Sequence, residues 1–134
     1  MKATILSLLT LCIAFLAGCT TPVAIDPQTG KEQTAKYQAG YFYASLDAPI
    51  GDVFKVAIRE LDEMGYFRTG ELHKESYITI YARKVGDEKI TVKTYVPSKN
   101  VELPEGHTML RIRIGKLGDL PESQAIYARI RDAL

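Results

Sequence analysis

The chain reads as an α+β domain: a two-layer sandwich in which an antiparallel sheet of about five strands carries two helices on one face, in the order β-α-β-β-β-β-α. Three observations predict it. Apolar and polar residues alternate through four segments between Tyr41 and Gly115, the period of half-buried strands. Two longer segments, starting near Pro49 and Leu120, instead repeat apolar residues at three and four, the spacing of one buried helix face. An alternating antiparallel sheet has one apolar face to cover, and two amphipathic helices suffice to cover it.

The first strand is Tyr41 to Leu46, with Phe42, Ala44 and Leu46 on one face and Tyr41, Tyr43 and Ser45 on the other. A helix follows, with Asp47 or Ala48 as its N-cap and Pro49 in the tolerant first turn. Ile50, Phe54, Ala57, Leu61 and Met64 form its buried face, widened by Val53 and Ile58, and Gly65 ends it as the residue after the C-cap. Tyr66 to Lys74 is irregular and belongs at a sheet edge. Tyr77 to Val85 alternates, with Ile78, Ile80 and Ala82 inward. Gly86-Asp87-Glu88 makes a turn, and Lys89 to Val96 returns with Ile90, Val92 and Val96 inward. Pro97 to Gly106 is a loop. Met109 to Gly115 is the last strand, directing Leu110, Ile112 and Ile114 inward and Arg111 and Arg113 outward. Asp119-Leu120-Pro121-Glu122 fits a capping box, and Ile126, Ile130, Ala133 and Leu134 continue the face of the second helix.

The amino terminus is of another kind. Lys2 is followed by an apolar run from Ile5 to Leu16 and then by Ala17-Gly18, the three parts of a secretory signal. At ~1.5 Å per residue the run is too short to cross a ~30 Å hydrocarbon core comfortably. Leu16-Ala17-Gly18-Cys19 has the form of a lipobox. Cleavage between Gly18 and Cys19 would leave the Cys19 thiol to take a diacylglyceryl group and its amino group to take a further acyl chain such as palmitate. Two or three chains make an effectively stable anchor, where one gives only marginal binding. The expected organisation is a signal peptide over 1–18, a lipidated cysteine and flexible tether over 19–39, and the α+β domain over 40–134. The expected location is a bacterial cell envelope. Thr20, where enteric inner-membrane retention uses Asp, points to the outer membrane facing the periplasm.

Removal of the signal leaves 116 residues, one domain's worth. Lys2 is the only charge removed, so the mature chain is formally neutral and has no global field to attract nucleic acid or anionic lipid. Cys12 lies in the signal and Cys19 would be capped, so the mature chain folds without a disulfide. The tether holds Pro22, Pro27 and Gly30. Asp26-Pro27-Gln28-Thr29-Gly30 is a turn, and Lys31 to Lys36 a marginal helical turn. About 20 flexible residues would reach roughly 25 Å.

Met109 to Asp119, followed by Ser123, Ile126 and Ile130, resembles a family of small bacterial membrane lipoproteins classed as a domain of unknown function. The family pattern is a strand ending in Ile-Gly, a Phe/Leu-Gly-Asp turn and a helix opening with Ser and Ile. Pro49-Ile50-Gly51-Asp52-Val53-Phe54 fits its upstream helix. The resemblance covers roughly Tyr41 to Leu134 plus the signal, and it implies the fold and a membrane-anchored location but no reaction. Gly115 and Gly118 are expected to serve the strand-to-helix turn. A phosphate cradle at the helix amino end is the alternative, opposed by the carboxylate of Asp119 at the cap.

No catalytic constellation stands out, and no cofactor or metal is expected. His73 and His107 have no second ligand at metal spacing and read as solvated imidazoles. Glu60, Asp62 and Glu63 read as a solvated helix face beside Arg59. Ser45, Ser76, Ser98 and Ser123 lack a nucleophile context. The outward sheet face is different: Tyr77, Tyr81 and Tyr95, with Tyr41 and Tyr43, interleave with Arg83, Lys89, Lys93, Arg111 and Arg113. Tyrosine and arginine are enriched at binding hot spots, and arginine forks onto carboxylate or phosphate. The same residues also fit an ordinary solvent face of a sheet by β propensity and cross-strand packing. Stacked sheet faces also bind RNA, which the export signal opposes. The expected role is therefore a non-enzymatic binding or structural module held to the membrane at Cys19 and contacting an envelope protein or peptidoglycan. The alternatives are a small envelope-polymer hydrolase or transferase, and a spacer or assembly subunit.

Overall fold

A computed structural model describes residues 21–23, 35–98 and 103–134. The elements are β1 (Thr21–Val23), β2 (Ala35–Gln38), β3 (Tyr41–Leu46), α1 (Ile50–Glu63), β4 (Phe67–His73), β5 (Tyr77–Lys84), β6 (Glu88–Tyr95), β7 (Thr108–Ile114) and α2 (Leu120–Ala133). The strands make one antiparallel sheet in the order β1-β2-β3-β7-β6-β5-β4. The fold is the expected α+β sandwich, with two strands added before Tyr41. Cys12, Gly18 and Cys19, and with them the signal and lipidation expectations, lie outside the described residues, as do residues 24–34.

The core follows from the alternation. Phe42, Ala44, Leu46, Ile80, Ala82, Ile90, Val92, Leu110, Ile112 and Ile114 face the helices, which return Val53, Ala57, Leu61, Ile126, Tyr127 and Ile130. Tyr127 meets Phe42 edge to face at 5.7 Å between ring centres and donates its hydroxyl to the Ser45 carbonyl at 2.7 Å. The buried ring thus keeps a partner for its one polar atom.

Local chemistry sets the helix ends. The Tyr66 amide donates to the Leu61 carbonyl and the Gly65 amide to Asp62, while Gly65 takes φ +82°. These two bonds form a Schellman motif that stops α1 at the predicted glycine. At α2 the Asp119 carboxylate accepts the Glu122 amide at 3.1 Å, with proline in the first turn.

Several expectations need correction. Residues 35–38 are not tether: Ala35 is buried, Tyr37 is partly buried against the core, and both face inward from β2. Two inward residues, Ala35 and Tyr37, alternating with Lys36 and Gln38 are too short a pattern to be read from sequence, and Lys36 is strand rather than helical turn. The N-cap of α1 is Pro49, with no side-chain cap, rather than Asp47 or Ala48. Only half of the capping box forms, because the Glu122 carboxylate turns away to accept from Tyr66 and Lys84. Val96 lies past the end of β6 and is exposed. Thr94 takes the last inward place, its hydroxyl donating to the Ile78 carbonyl at 3.3 Å. Leu134 is also exposed. Glu60 does not face water: α2 covers it, and Arg129 pairs with it at 3.1 Å and Arg59 at 3.4 Å.

The last strand of the sheet, β4, has every residue exposed and a register shift between Arg68 and Gly70. Arg68 braces this edge, reaching Asp62 at 2.7 Å and Glu71 at 3.4 Å.

Candidate functional site

The register places the candidate residues in rows across the face that the helices leave open. One row runs Gln38, Tyr41, Arg113, Thr91, Tyr81, Gly70. The next runs Lys36, Tyr43, Arg111, Lys93, Thr79, Leu72, and a third runs Ser45, Met109, Tyr95, Tyr77. No outward register position from β2 to β4 holds Asp or Glu. The carboxylates that pair within the fold sit on the helices, on β4, at the start of β6 and in the turns, so a chain of formal net charge only +1 carries a basic, tyrosine-rich sheet face.

At its centre the cations lie against the rings. The Lys93 ammonium is 4.0 Å from the centre of the Tyr77 ring and 5.4 Å from that of Tyr95. The Arg111 guanidinium lies 4.8 Å from the Tyr41 ring, which meets Tyr43 at 6.2 Å. Burial, and then the neighbouring charge of Arg111, pushes the Lys93 ammonium below its ordinary pKa. Burial, and then Tyr43, raises the Tyr95 hydroxyl against the opposing pull of Arg111. Neither Arg111 nor Lys93 has a carboxylate partner among the described residues. Their donors remain available to an anionic or hydroxyl-rich ligand, with the rings as stacking surfaces.

The other proposed contacts are differently employed. Arg113 is a clamp: it donates to the carbonyls of Ala39 at 3.0 Å and Gly115 at 3.4 Å, and to that of Lys116. It thereby joins the β2–β3 turn to the β7–α2 connection. Those two backbones touch. A Cβ on Gly118 would stand 2.3 Å from the Gly40 carbonyl oxygen, and one on Gly40 would stand 2.7 Å from that of Leu117. Both glycines take φ +81°. Gly118 therefore serves a backbone contact rather than a phosphate cradle, and Asp119 occupies the helix amino end. Arg83 pairs with Asp87 at 2.6 Å. Tyr81 stands apart from the ring cluster and is 40% exposed.

The Ile114-to-Asp119 run is thus accounted for by its role in the fold. The family model described as "Protein of unknown function (DUF3568)" matches residues 2–133. The chain belongs to the DUF3568 family. No curated protein matches it.

Neither histidine of this DUF3568 chain is a bare surface imidazole. His73 meets Glu71 at 2.9 Å and packs edge-on against Phe54. His107 borders a groove of about 570 Å³ between Pro49, Val96 and Leu103, with its Nδ1 buried and unpartnered. Its carboxylate partner among the described residues, Asp47 at 3.5 Å, is exposed, so that pair does not supply the desolvated acid that acid–base catalysis needs. Among the described residues no cluster of three His, Cys, Asp or Glu could hold a metal, and no helix is long and apolar enough to cross a membrane.

Proposed function

We propose that this DUF3568 protein is a lipid-anchored lipoprotein of the bacterial envelope whose domain is a non-enzymatic binding module. It is held at Cys19 in the outer membrane facing the periplasm, and it contacts an envelope protein or peptidoglycan through its open sheet face. The observation that carries the binding role is the acid-free outer face. There Arg111 and Lys93 lie against Tyr41, Tyr77 and Tyr95 without a carboxylate partner among the described residues. The lipobox Leu16-Ala17-Gly18-Cys19 carries the location.

The test is a photo-crosslinking residue at Tyr81 in the full-length protein expressed in a bacterial host. One dominant adduct is expected, lost when Arg111→Glu and Lys93→Glu are combined. Arg113 is left intact because its reversal would break the turn clamp. No adduct from a correctly fractionating protein refutes the binding role.

A further inference from the structure

We infer that the end of the sheet nearest Cys19 is a bilayer-contacting surface, where Leu117, Val85 and Phe67 enter the interfacial layer of the membrane. The inference rests on the lipid anchor proposed above. It adds a second point of attachment, made by the folded domain.

Thr21 pairs with Tyr37, one residue short of the end of β2, so β1 begins beside the Ala39-Gly40 turn. Only Thr20 separates Cys19 from Thr21, a span of at most ~7 Å over two residue steps. A lipidated Cys19 would therefore hold this end of the sheet against the bilayer, where a 20-residue flexible tether would leave the domain free. The β5–β6 turn, the β7–α2 connection and the start of β4 lie at the same end, because Lys84 pairs with Glu88, Ile90 with Ile114 and Phe67 with Arg83.

The three most exposed large apolar residues of the described chain are Val85 at 96%, Leu117 at 88% and Phe67 at 73%. All three sit at this end. Apolar residues scattered singly over a surface are ordinary, but these form one line from β4 to β7, roughly 15 Å at sheet spacing. Two occupy tight connections, where turn chemistry favours polar residues. Both connections carry the same order, Lys84-Val85-Gly86-Asp87 and Lys116-Leu117-Gly118-Asp119, with an aliphatic residue at the tip. Lys116 and Lys89 are exposed beside the tips and have no carboxylate partner among the described residues, which suits them to phosphate headgroups. Apolar tips beside lysines at the tethered end match a phospholipid surface, with the tips at acyl-chain depth and the cations at headgroup level.

The experiment uses the full-length protein purified from membranes in detergent and returned to phosphatidylethanolamine–phosphatidylglycerol vesicles. Leu117→Cys, Val85→Cys and Phe67→Cys are each labelled with an environment-sensitive fluorophore. Val96→Cys, exposed at the opposite end, is the control. Emission is expected to rise severalfold at the three tips and to be quenched by lipids carrying shallow spin labels, with neither change at position 96. Tips that behave like position 96 in an acylated protein overturn this inference and leave the anchor standing. Intact mass of the same sample reads acylation independently, and an unacylated Cys19 overturns the anchor and the inference together. Tips shielded in native membranes but not in vesicles overturn it in favour of a protein partner at this end.

Discussion

Replacing Gly118 with alanine tests the contact between the two glycine turns. A side chain at φ +81° costs about 1–2 kcal/mol wherever it occurs. Gly65→Ala supplies that baseline, since Gly65 has φ +82° and no atom within 4 Å of its added Cβ. At Gly118 the Cβ would also stand 2.3 Å from the Gly40 oxygen, 2.5 Å from the Gly40 Cα and 2.6 Å from the Tyr37 hydroxyl. Two of those three atoms are backbone, so the overlap is relieved only by moving the turns apart. That movement stretches the Arg113–Ala39 bond, and a hydrogen bond to a charged group is worth about 1.5–3 kcal/mol. Gly118→Ala should therefore cost at least about 2 kcal/mol more than Gly65→Ala, roughly 8 °C or more of melting temperature for a domain of this size. Far-UV circular dichroism melts of both variants measure it, the chain having no tryptophan to report on. Equal losses would refute the claim that the two backbones are in contact.

Two pH profiles test buried polar groups. Burial pushes the Tyr127 hydroxyl up to about 12, and the neutral form is the one the fold favours. Its contribution is therefore complete below pH 10 and is lost as pH rises from there to about 12. Tyr127→Phe should lower stability near neutrality by about 1 kcal/mol and flatten the alkaline limb of urea midpoints, and an unchanged limb would count against it. Burial raises the Glu122 carboxyl, but bonds from Lys84 and Tyr66 outweigh burial and leave it below its ordinary 4.5. Its contribution is present above that value and lost as pH falls through the lower folded value. Glu122→Gln should be less stable at pH 7 and show a shallower acid limb, and parallel limbs for variant and parent would sink the assignment.

The regular elements were legible because each obeys one period over a long stretch. β3, β5, β6 and β7 alternate, and α1 and α2 repeat at three and four within a residue or two of the observed ends. What escaped depends on tertiary partners. Ala35 and Tyr37 look like tether until Phe42 and its neighbours are present to bury them. Glu60 reads as solvated on α1 alone and is enclosed only by α2. Arg113 and Arg111 share one alternation and both lie against the Tyr41 ring, yet Arg113 alone of the two also grips three carbonyls. Only the positions of the two turns separate those roles, and no local pattern encodes them. The Ala39-Gly40 pair was a readable sign that a turn, and hence a strand, precedes Tyr41.

The two sheet edges bear on how copies of this protein tolerate one another. Open strand edges recruit further strands, and confinement to a surface would multiply the encounters. Here the β4 edge is kinked by its register shift and carries the paired charges of Arg68 and Glu71, the arginine also held by Asp62 of α1. The β1 edge is three residues long and centred on Pro22, which has no amide hydrogen to offer. Neither edge is a good template for cross-molecule pairing. Dense display could then proceed without the sheets growing into fibres, leaving the broad face as the part of the sheet open to company.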